Sequence, residues 1–438
     1  VTTQTPGVGQ KERPKTMKHS DDLIKQGSLM FLAVTIFNIF SLLYQLYMVR
    51  NLSPTDYGIL NSIFSILMIV SVPSGTLRTV VTKFISTFYV INDHERINLL
   101  LRSFVKKTSL FGLVIFLILI FGSRGISSFL QIASPLLIVI LGVITFFSII
   151  LPLTQGCLQG LQRFGYLGLT MITNGSLKLL LGIIFVIIGF GVIGAISALA
   201  ISTFITLLLS FIMLVSVLPK PLALIPESFQ LKSNSSYPEM NFSEIYRFFY
   251  AVATVFLCFM VLTNIDVVLV KHFFKPLDAG YYSIAQMVGK IILFLPIAVT
   301  LVMFPKTSEL HAQAKATSHL LKKSLLYVGA LCATAALICL LFPGLIIRLL
   351  SGEEHLHCIP LARIFSVTMF FFALVYVLLF YHLSIHRFDF IFSLVFLTVL
   401  QILAIIVFHR TLSQVLYIMC GNAVLLFFIN VYLAFKRF

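Results

Sequence analysis

Long apolar runs recur from one end of this chain to the other, and they leave few ways for it to fold. Leu29 to Val49 is one such run, and Leu179 to Val217 is long enough for two. A helix needs about 20 apolar residues to cross the hydrocarbon of a bilayer. A spanning β-barrel would instead show short segments of alternating apolar and polar residues. These runs are continuous and rich in Leu, Ile and Phe. Charge points the same way: 11% of the 438 residues are charged, less than half of the roughly 25% in a soluble domain. The expected fold is all-α, a polytopic membrane protein with about twelve transmembrane helices.

The runs place the spans of the first half at 29–49, 58–80, 108–122, 134–157, 166–188 and 191–217. Those of the second half fall at 246–270, 280–304, 323–343, 363–383, 389–408 and 412–434. The third span is short, and the segment from Ile126 to Ile132 dips back or lies on the surface. Lys83 to Lys107 mixes Phe, Ile and Leu with basic residues, as a helix on the membrane surface would. The first 28 residues are polar and basic, with no apolar core for a cleavable leader. They read as a cytoplasmic tail, disordered until just before the first span. Four parts follow: tail 1–28, a first six-helix lobe 29–217, a cytoplasmic linker 218–245, and a second six-helix lobe 246–438.

Basic residues choose the orientation, because cytoplasmic loops carry the excess of Lys and Arg. With the N-terminus inside, the basic tail, the 83–107 segment and the linker all fall inside. Outside are left Arg50, Arg124, Lys271, Lys275, Arg348, Arg363 and Arg410. Both termini are therefore expected in the cytoplasm, in the cell (cytoplasmic) membrane. The net charge of +16 reads as a membrane surface facing anionic lipid, not as a nucleic-acid footprint.

The chain also repeats itself. Pro54-Thr55-Asp56-Tyr57-Gly58 follows the first span, and Pro276-Leu277-Asp278-Ala279-Gly280 follows the seventh. Each copy is followed by a mid-span proline, Pro73 and Pro296, and then by a basic entry to the third span, Lys106-Lys107 and Lys322-Lys323. In Pro-x-Asp-x-Gly the proline stops one helix, Asp caps the next, and Gly permits tight packing at its start. An even number of spans per half gives the halves the same orientation, a tandem parallel repeat of the kind that builds transporters. No Gly-rich ion filter and no phosphate-cradling loop for ATP occurs. Transport is then coupled to a proton or sodium gradient, driven by the substrate, or facilitated, with no bound cofactor.

Three stretches carry a family resemblance. Val49-Arg50-Asn51-Leu52-Ser53 leading into the first motif, Asn264-Ile265-Asp266-Val267-Val268 running to Ala279-Gly280-Tyr281-Tyr282-Ser283, and Gln155-Gly156-Cys157-Leu158-Gln159-Gly160-Leu161-Gln162-Arg163 resemble oligosaccharide (polysaccharide) flippases. That family shares a superfamily with multidrug and toxin exporters and lipid flippases. The resemblance implies two six-helix lobes around a V-shaped cavity, alternating access, and a polyprenyl-pyrophosphate-linked oligosaccharide as cargo. Glycosyltransferases or a glycan polymerase are the expected partners, no enzyme activity is expected, and two fused halves can form a complete pathway in a monomer among membrane lipids. The alternatives are a multidrug or metabolite exporter of the same superfamily and a membrane-embedded polysaccharide polymerase or ligase. The latter would need a large outer loop, and the longest here, near Pro343 to Ala362, is short.

Ionisable residues at membrane depth are costly and mark sites. Arg78, Lys178 and Lys290, with Asn174 and Gln286, are the expected substrate-binding set, a cationic lining for a pyrophosphate. For Arg78 the alternative is a side chain that snorkels from near the end of its helix; for Lys178 it is pairing with structural carbonyls. Asp266, with Asn264 beside it, is the expected ion-coupling site; the alternative is a salt bridge to Lys271, Arg50 or a cavity lysine. The eleventh span offers only Gln401 deep inside as a further ligand. Gly156 and Gly160 read as close helix packing. Glu353-Glu354-His355-Leu356-His357-Cys358 lacks standard zinc spacing, so no metal site is expected. The remaining cysteines sit in apolar spans, not in a disulfide framework.

Overall fold

The computed structural model describes residues 16–90, 93–218, 242–313, 315–352 and 357–436. Among them there is no strand. The first half forms α1 (Thr16–Asn51), α2 (Pro54–Val70), α3 (Val72–Val90), α4 (His94–Phe121), α5 (Ser123–Phe129), α6 (Leu136–Gly160), α7 (Phe164–Ile187) and α8 (Gly191–Val217). The second forms α9 (Phe242–Leu262), α10 (Ile265–Phe273), α11 (Pro276–Phe294), α12 (Pro296–Ala312), α13 (Ser318–Leu341), α14 (Pro343–Ser351), α15 (Ile359–Ser384), α16 (Phe390–Val407) and α17 (Leu412–Phe435).

Ten helices among the described residues are long and apolar enough to cross a membrane, and the bent pair α2–α3 makes eleven. The protein is thus a multi-pass helical membrane protein. Of the twelve expected spans, the one outside this count is 280–304. It is divided between α11 and α12 at Leu295, just before Pro296. The second span is divided in the same way: α2 and α3 meet at Ser71, ahead of Pro73, with a bend of 41°. A proline has no N–H to donate and its ring crowds the carbonyl one turn back, so each run breaks where the sequence repeats its proline.

Four expectations are corrected. The helix of the first span begins at Thr16, so 16–28 is helical and not a disordered lead-in; residues 1–15 lie outside the described part. Most of the linker 218–245 also lies outside it, but Phe242 already starts α9. The third span is not short, and Lys83 to Lys107 is not a separate surface helix. Its two ends belong to α3 and to the 28-residue α4.

Between helices in lipid, small residues allow the close approach that packing requires. Gly156 and Gly160 do this for α6, as expected. A Cβ on Gly156 would stand 2.9 Å from the Arg78 carbonyl oxygen, and one on Gly160 would stand 2.8 Å from Ile85 Cβ. Gly168, Gly175 and Gly182 stand at successive seven-residue steps along α7 and receive Ala33, Phe37 with Phe40, and Tyr44 with Met48 of α1.

The two Pro-x-Asp-x-Gly copies start α2 and α11, and the two helices meet there. A Cβ on Gly58 would lie 3.0 Å from Gly280 Cα, and one on Gly280 would run into the Pro54 carbonyl. Other contacts join the halves at the same end. The Arg50 guanidinium donates to the carbonyls of Leu349 and Leu350, in the last turn of α14. The His272 ring stacks on Phe129 at 3.9 Å, its Nδ1 lies 2.7 Å from the Phe129 carbonyl, and Gln131 Nε2 donates to the His272 carbonyl at 2.7 Å. The main apolar core runs through both halves. A separate cluster around Val81, Ile85, Leu101, Leu153, Leu158 and Leu214 is built by the first half alone.

Candidate functional site

The span Tyr250–Phe273 contains a break that no proline or glycine makes. α9 stops at Leu262 and α10 starts at Ile265. Thr263 Oγ1 donates to the Phe259 carbonyl at 2.9 Å, and Asn264 Nδ2 to the Met260 carbonyl at 2.9 Å. Thr263 Oγ1 shares the Phe259 carbonyl with its own N–H, while Asn264 Nδ2 takes the Met260 carbonyl as its N–H turns to Val261 at 3.2 Å; such back-bonding side chains let the helix open. A break inside a span is tolerated where neighbours satisfy the freed groups. Here Gln401 Nε2 of α16 donates to the Leu262 carbonyl at 2.9 Å, and Asn422 of α17 donates to Gln401 Oε1 at 2.8 Å.

Asp266 sits one residue into α10 and is fully buried. It forms no salt bridge among the described residues, so the pairing with Lys271, Arg50 or a cavity lysine does not occur. Its partners are neutral. Tyr282 Oη donates at 2.9 Å, and Gln286 Nε2 lies 3.2 and 3.1 Å from the two carboxylate oxygens. Gln286 in turn accepts from Asn61 Nδ2 of α2 at 3.0 Å. Lys290, one turn beyond Gln286 on α11, donates to Asn264 Oδ1 at 2.8 Å. Carboxylate and ammonium act on each other electrostatically across this gap. The result is a buried polar chain from α17 through the helix break to α11, ending on α2 in the other half.

Of the residues picked from the sequence, Asn264, Asp266, Gln286 and Lys290 therefore come together, and the others do not join them. Lys178 lies in the glycine-lined seam of α7 and α1. It donates to Ser41 Oγ at 2.8 Å, with the rings of Phe37 and Tyr44 at 5.5 and 5.4 Å. It pairs with a hydroxyl and two aromatic faces, not with the carbonyls considered above. Asn174, one turn before it on α7, donates to Thr206 of α8 at 3.4 Å. Arg78 is held by Gln159 Oε1 at 3.2 Å and Gln155 Oε1 at 3.5 Å of α6. It is not near a helix end: α3 continues to Val90, about three turns further. Among the described residues, none of these cations has a carboxylate partner.

Sequence reasoning missed Asn61, Tyr282 and Asn422 as members of this chain; nothing in their local sequence marks them. Lys271 was assigned to the outer water. It is instead a fully buried residue of α10, and its Nζ has no hydrogen-bond partner. Cys358, assigned to a loop, is buried, and all six cysteines are free. No cluster of metal-ligating residues occurs among the described residues; Glu353, Glu354 and His355 lie outside them.

A family model described as "Polysaccharide biosynthesis protein" matches residues 47–360. No curated protein matches the chain. Solved structures share its fold. An inward-facing multidrug resistance MATE family transporter of the MOP superfamily is 16% identical, with TM-score 0.71, over 93% of this chain and 99% of its own. The lipid II flippase MurJ in an inward closed conformation is 14% identical, with TM-score 0.70, over 94% and 88%. A MOP superfamily transporter from Pyrococcus furiosus, described as having a binding pocket of reverse polarity, is 16% identical, with TM-score 0.58, over 95% and 96%.

Proposed function

The chain belongs to the polysaccharide biosynthesis protein family, and from that membership we propose that it is a flippase for a polyprenyl-pyrophosphate-linked oligosaccharide. The cargo loads from the cytoplasmic leaflet of the cell membrane and leaves to the outer one. Both termini are cytoplasmic, so the end where α2 and α11 begin faces outward.

One observation carries the choice of cargo. Arg78, Lys178 and Lys290 are sunk among helices, and each is held by a neutral acceptor: the Gln155 and Gln159 amides, the Ser41 hydroxyl and the Asn264 amide. The charges of Arg78 and Lys178 are solvated but not cancelled, and Lys290 has Asp266 near it without direct contact. A pyrophosphate offers such cations charge-assisted hydrogen bonds in a medium of low dielectric constant. Neutral acceptors are readily exchanged for a phosphate oxygen and readily taken back, which suits a headgroup that must leave. A cationic drug would meet repulsion from the same groups.

Asp266 supplies the coupling. It is a buried carboxylate whose counter-charge, Lys290, is held one residue away from direct contact by Asn264 and Gln286. Anchoring of Lys290 by a phosphate would strip Asp266 of that compensation and favour uptake of a proton or a sodium ion. The protein performs no chemistry on the glycan; glycosyltransferases supply the cargo and a polymerase or ligase consumes it.

The test is reconstitution in vesicles with lipid-pyrophosphate oligosaccharides, following transfer between leaflets under imposed proton and sodium gradients. Gradient-dependent transfer is the expected result. Absence of transfer, together with ion flux driven by a cationic drug, would replace this reading with that of an exporter.

A further inference from the structure

Lys271 is a buried ammonium that the binding set above does not use. Its side chain is fully buried, and its Nζ is the only amine or guanidinium nitrogen among the buried side-chain atoms without a partner in the described residues. An ammonium has three donors and is strongly hydrated, so burying it unpaired is costly unless another state of the protein uses it.

Its position says which state. Lys271 lies in the last turn of α10, which packs against α2 across the line where the halves meet. The two residues that follow it are both fastened. His272 is stacked on Phe129 of the first half, and Phe273 is stacked on His409 at 3.9 Å. Lys271, just before them, has its amine left bare. The charge that acts on it is Asp56, in the first copy of the duplicated motif. The Asp56 carboxylate is occupied by the Ser53 hydroxyl at 2.8 Å, and Asp56 and Lys271 form no salt bridge. The exposed Lys275 and the Arg50 side chain stand at the same end. Parting the halves here breaks the contacts of Arg50, Gln131 and His272, and brings the Lys271 amine into the gap.

We propose that Lys271 is an exit-side phosphate contact: concealed while the α2/α11 end is closed, it takes the phosphate-bearing headgroup from the deeper cations when that end opens. The shared chemistry is a phosphate or pyrophosphate oxygen accepting from a lysine ammonium. The choice of a lipid-borne phosphate rests on the flippase reading. A lysine suits a transient contact, because it binds phosphate as a point charge without the two-pronged grip of an arginine.

The experiment uses the full chain in lipid nanodiscs, where reagent reaches both faces. Lysines are acetylated with an activated ester, and modification of each is followed by peptide mass spectrometry with time. The exposed Lys275 should react at once and Lys271 slowly, as the closed end opens. Polyprenyl pyrophosphate in the bilayer should slow Lys271 acetylation by about tenfold or more, the mark of one charge-assisted contact. Inorganic pyrophosphate in solution forms the second arm. Protection in both arms, or by the lipid alone, supports the proposal. Protection by the inorganic ion alone keeps the anion site but removes its lipid source, and with it the flippase reading. Equal rates in all conditions overturn the proposal, as does a Lys271 that never reacts. Two variants separate charge from fold: Lys271→Arg should keep lipid transfer within about threefold, and Lys271→Gln should lower it about tenfold. Wild-type transfer by Lys271→Gln would also overturn the proposal.

Discussion

Gly58 and Gly280, the final residues of the two Pro-x-Asp-x-Gly copies, lie against each other. A Cβ on the first would stand 3.0 Å from Cα of the second. The repeated motif is therefore not only a turn used twice. Its two copies are each other's packing partners, and their glycines set how closely α2 and α11 approach. The copies are not chemically alike. Ser53 caps α2 by accepting from the Asp56 N–H, whereas α11 has no side-chain cap at Lys275.

Gly280→Ala should be the most damaging single methyl in this region, because its Cβ would run into main chain that cannot turn aside. Overpacking of this kind costs about 1–3 kcal/mol. The expected outcome is a lower thermal midpoint in detergent than for Gly58→Ala, whose Cβ meets looser neighbours. An unchanged midpoint for Gly280→Ala would mean that the helices do not meet at this residue.

Asp266→Asn keeps the size of the side chain and an acceptor for Tyr282 while removing the only carboxylate in the chain of contacts. The variant should fold and bind cargo, and its transfer rate should no longer respond to proton or sodium gradients. Ion dependence identical to wild type would remove Asp266 from coupling.

Lys290→Met leaves the Asn264 oxygen without its donor and Asp266 without its counter-charge. The two charges do not touch, so the main cost is the unpaired Asn264 oxygen, about 1–3 kcal/mol. Stability should fall, and it should recover in part in Asp266→Asn with Lys290→Met, a coupling that a double-mutant cycle reads directly. Strict additivity of the two changes would show that the charges do not sense each other.

Arg50→Gln removes the cation that holds the last turn of α14, where helix carbonyls favour positive charge. Spin labels on α1 near Tyr47 and on α14 near Leu345 should report a larger share of long distances in the variant. A distribution matching wild type would place the hold on this end elsewhere.

The sequence revealed most of the spans because apolar length is a local property. It placed Pro73 and Pro296 inside the second and eighth spans but read those spans as unbroken; proline breaks its own helix, and both runs divide there. The break at Thr263 and Asn264 was hidden. It depends on side chains that bond back to their own turn and on Gln401, 139 residues away. Arg78 was placed near a helix end because polar Thr79, Thr82 and Lys83 dilute the apolar run, although α3 goes on. Lys271 was misplaced for a related reason. A charge at the edge of a run looks hydrated until one knows that another helix covers it. Asp266, Lys290, Asn264 and Gln286 all stood out as polar groups in apolar runs, but that the two amides lie between the two charges is visible only in three dimensions.

The carbonyl of Leu262 has a consequence for how the protein is made. Its donor, Gln401, comes from α16, and Gln401 is itself steadied by Asn422 of α17. Both helices leave the ribosome after α9 and α10. Until they arrive, the early span carries a bare carbonyl in hydrocarbon, and an unsatisfied main-chain group there is expensive. The newly inserted span is thus expected to wait as a plain continuous helix, or beside the insertion machinery. It would take its broken shape only when the late helices dock, so that the coupling site matures at the end of biogenesis.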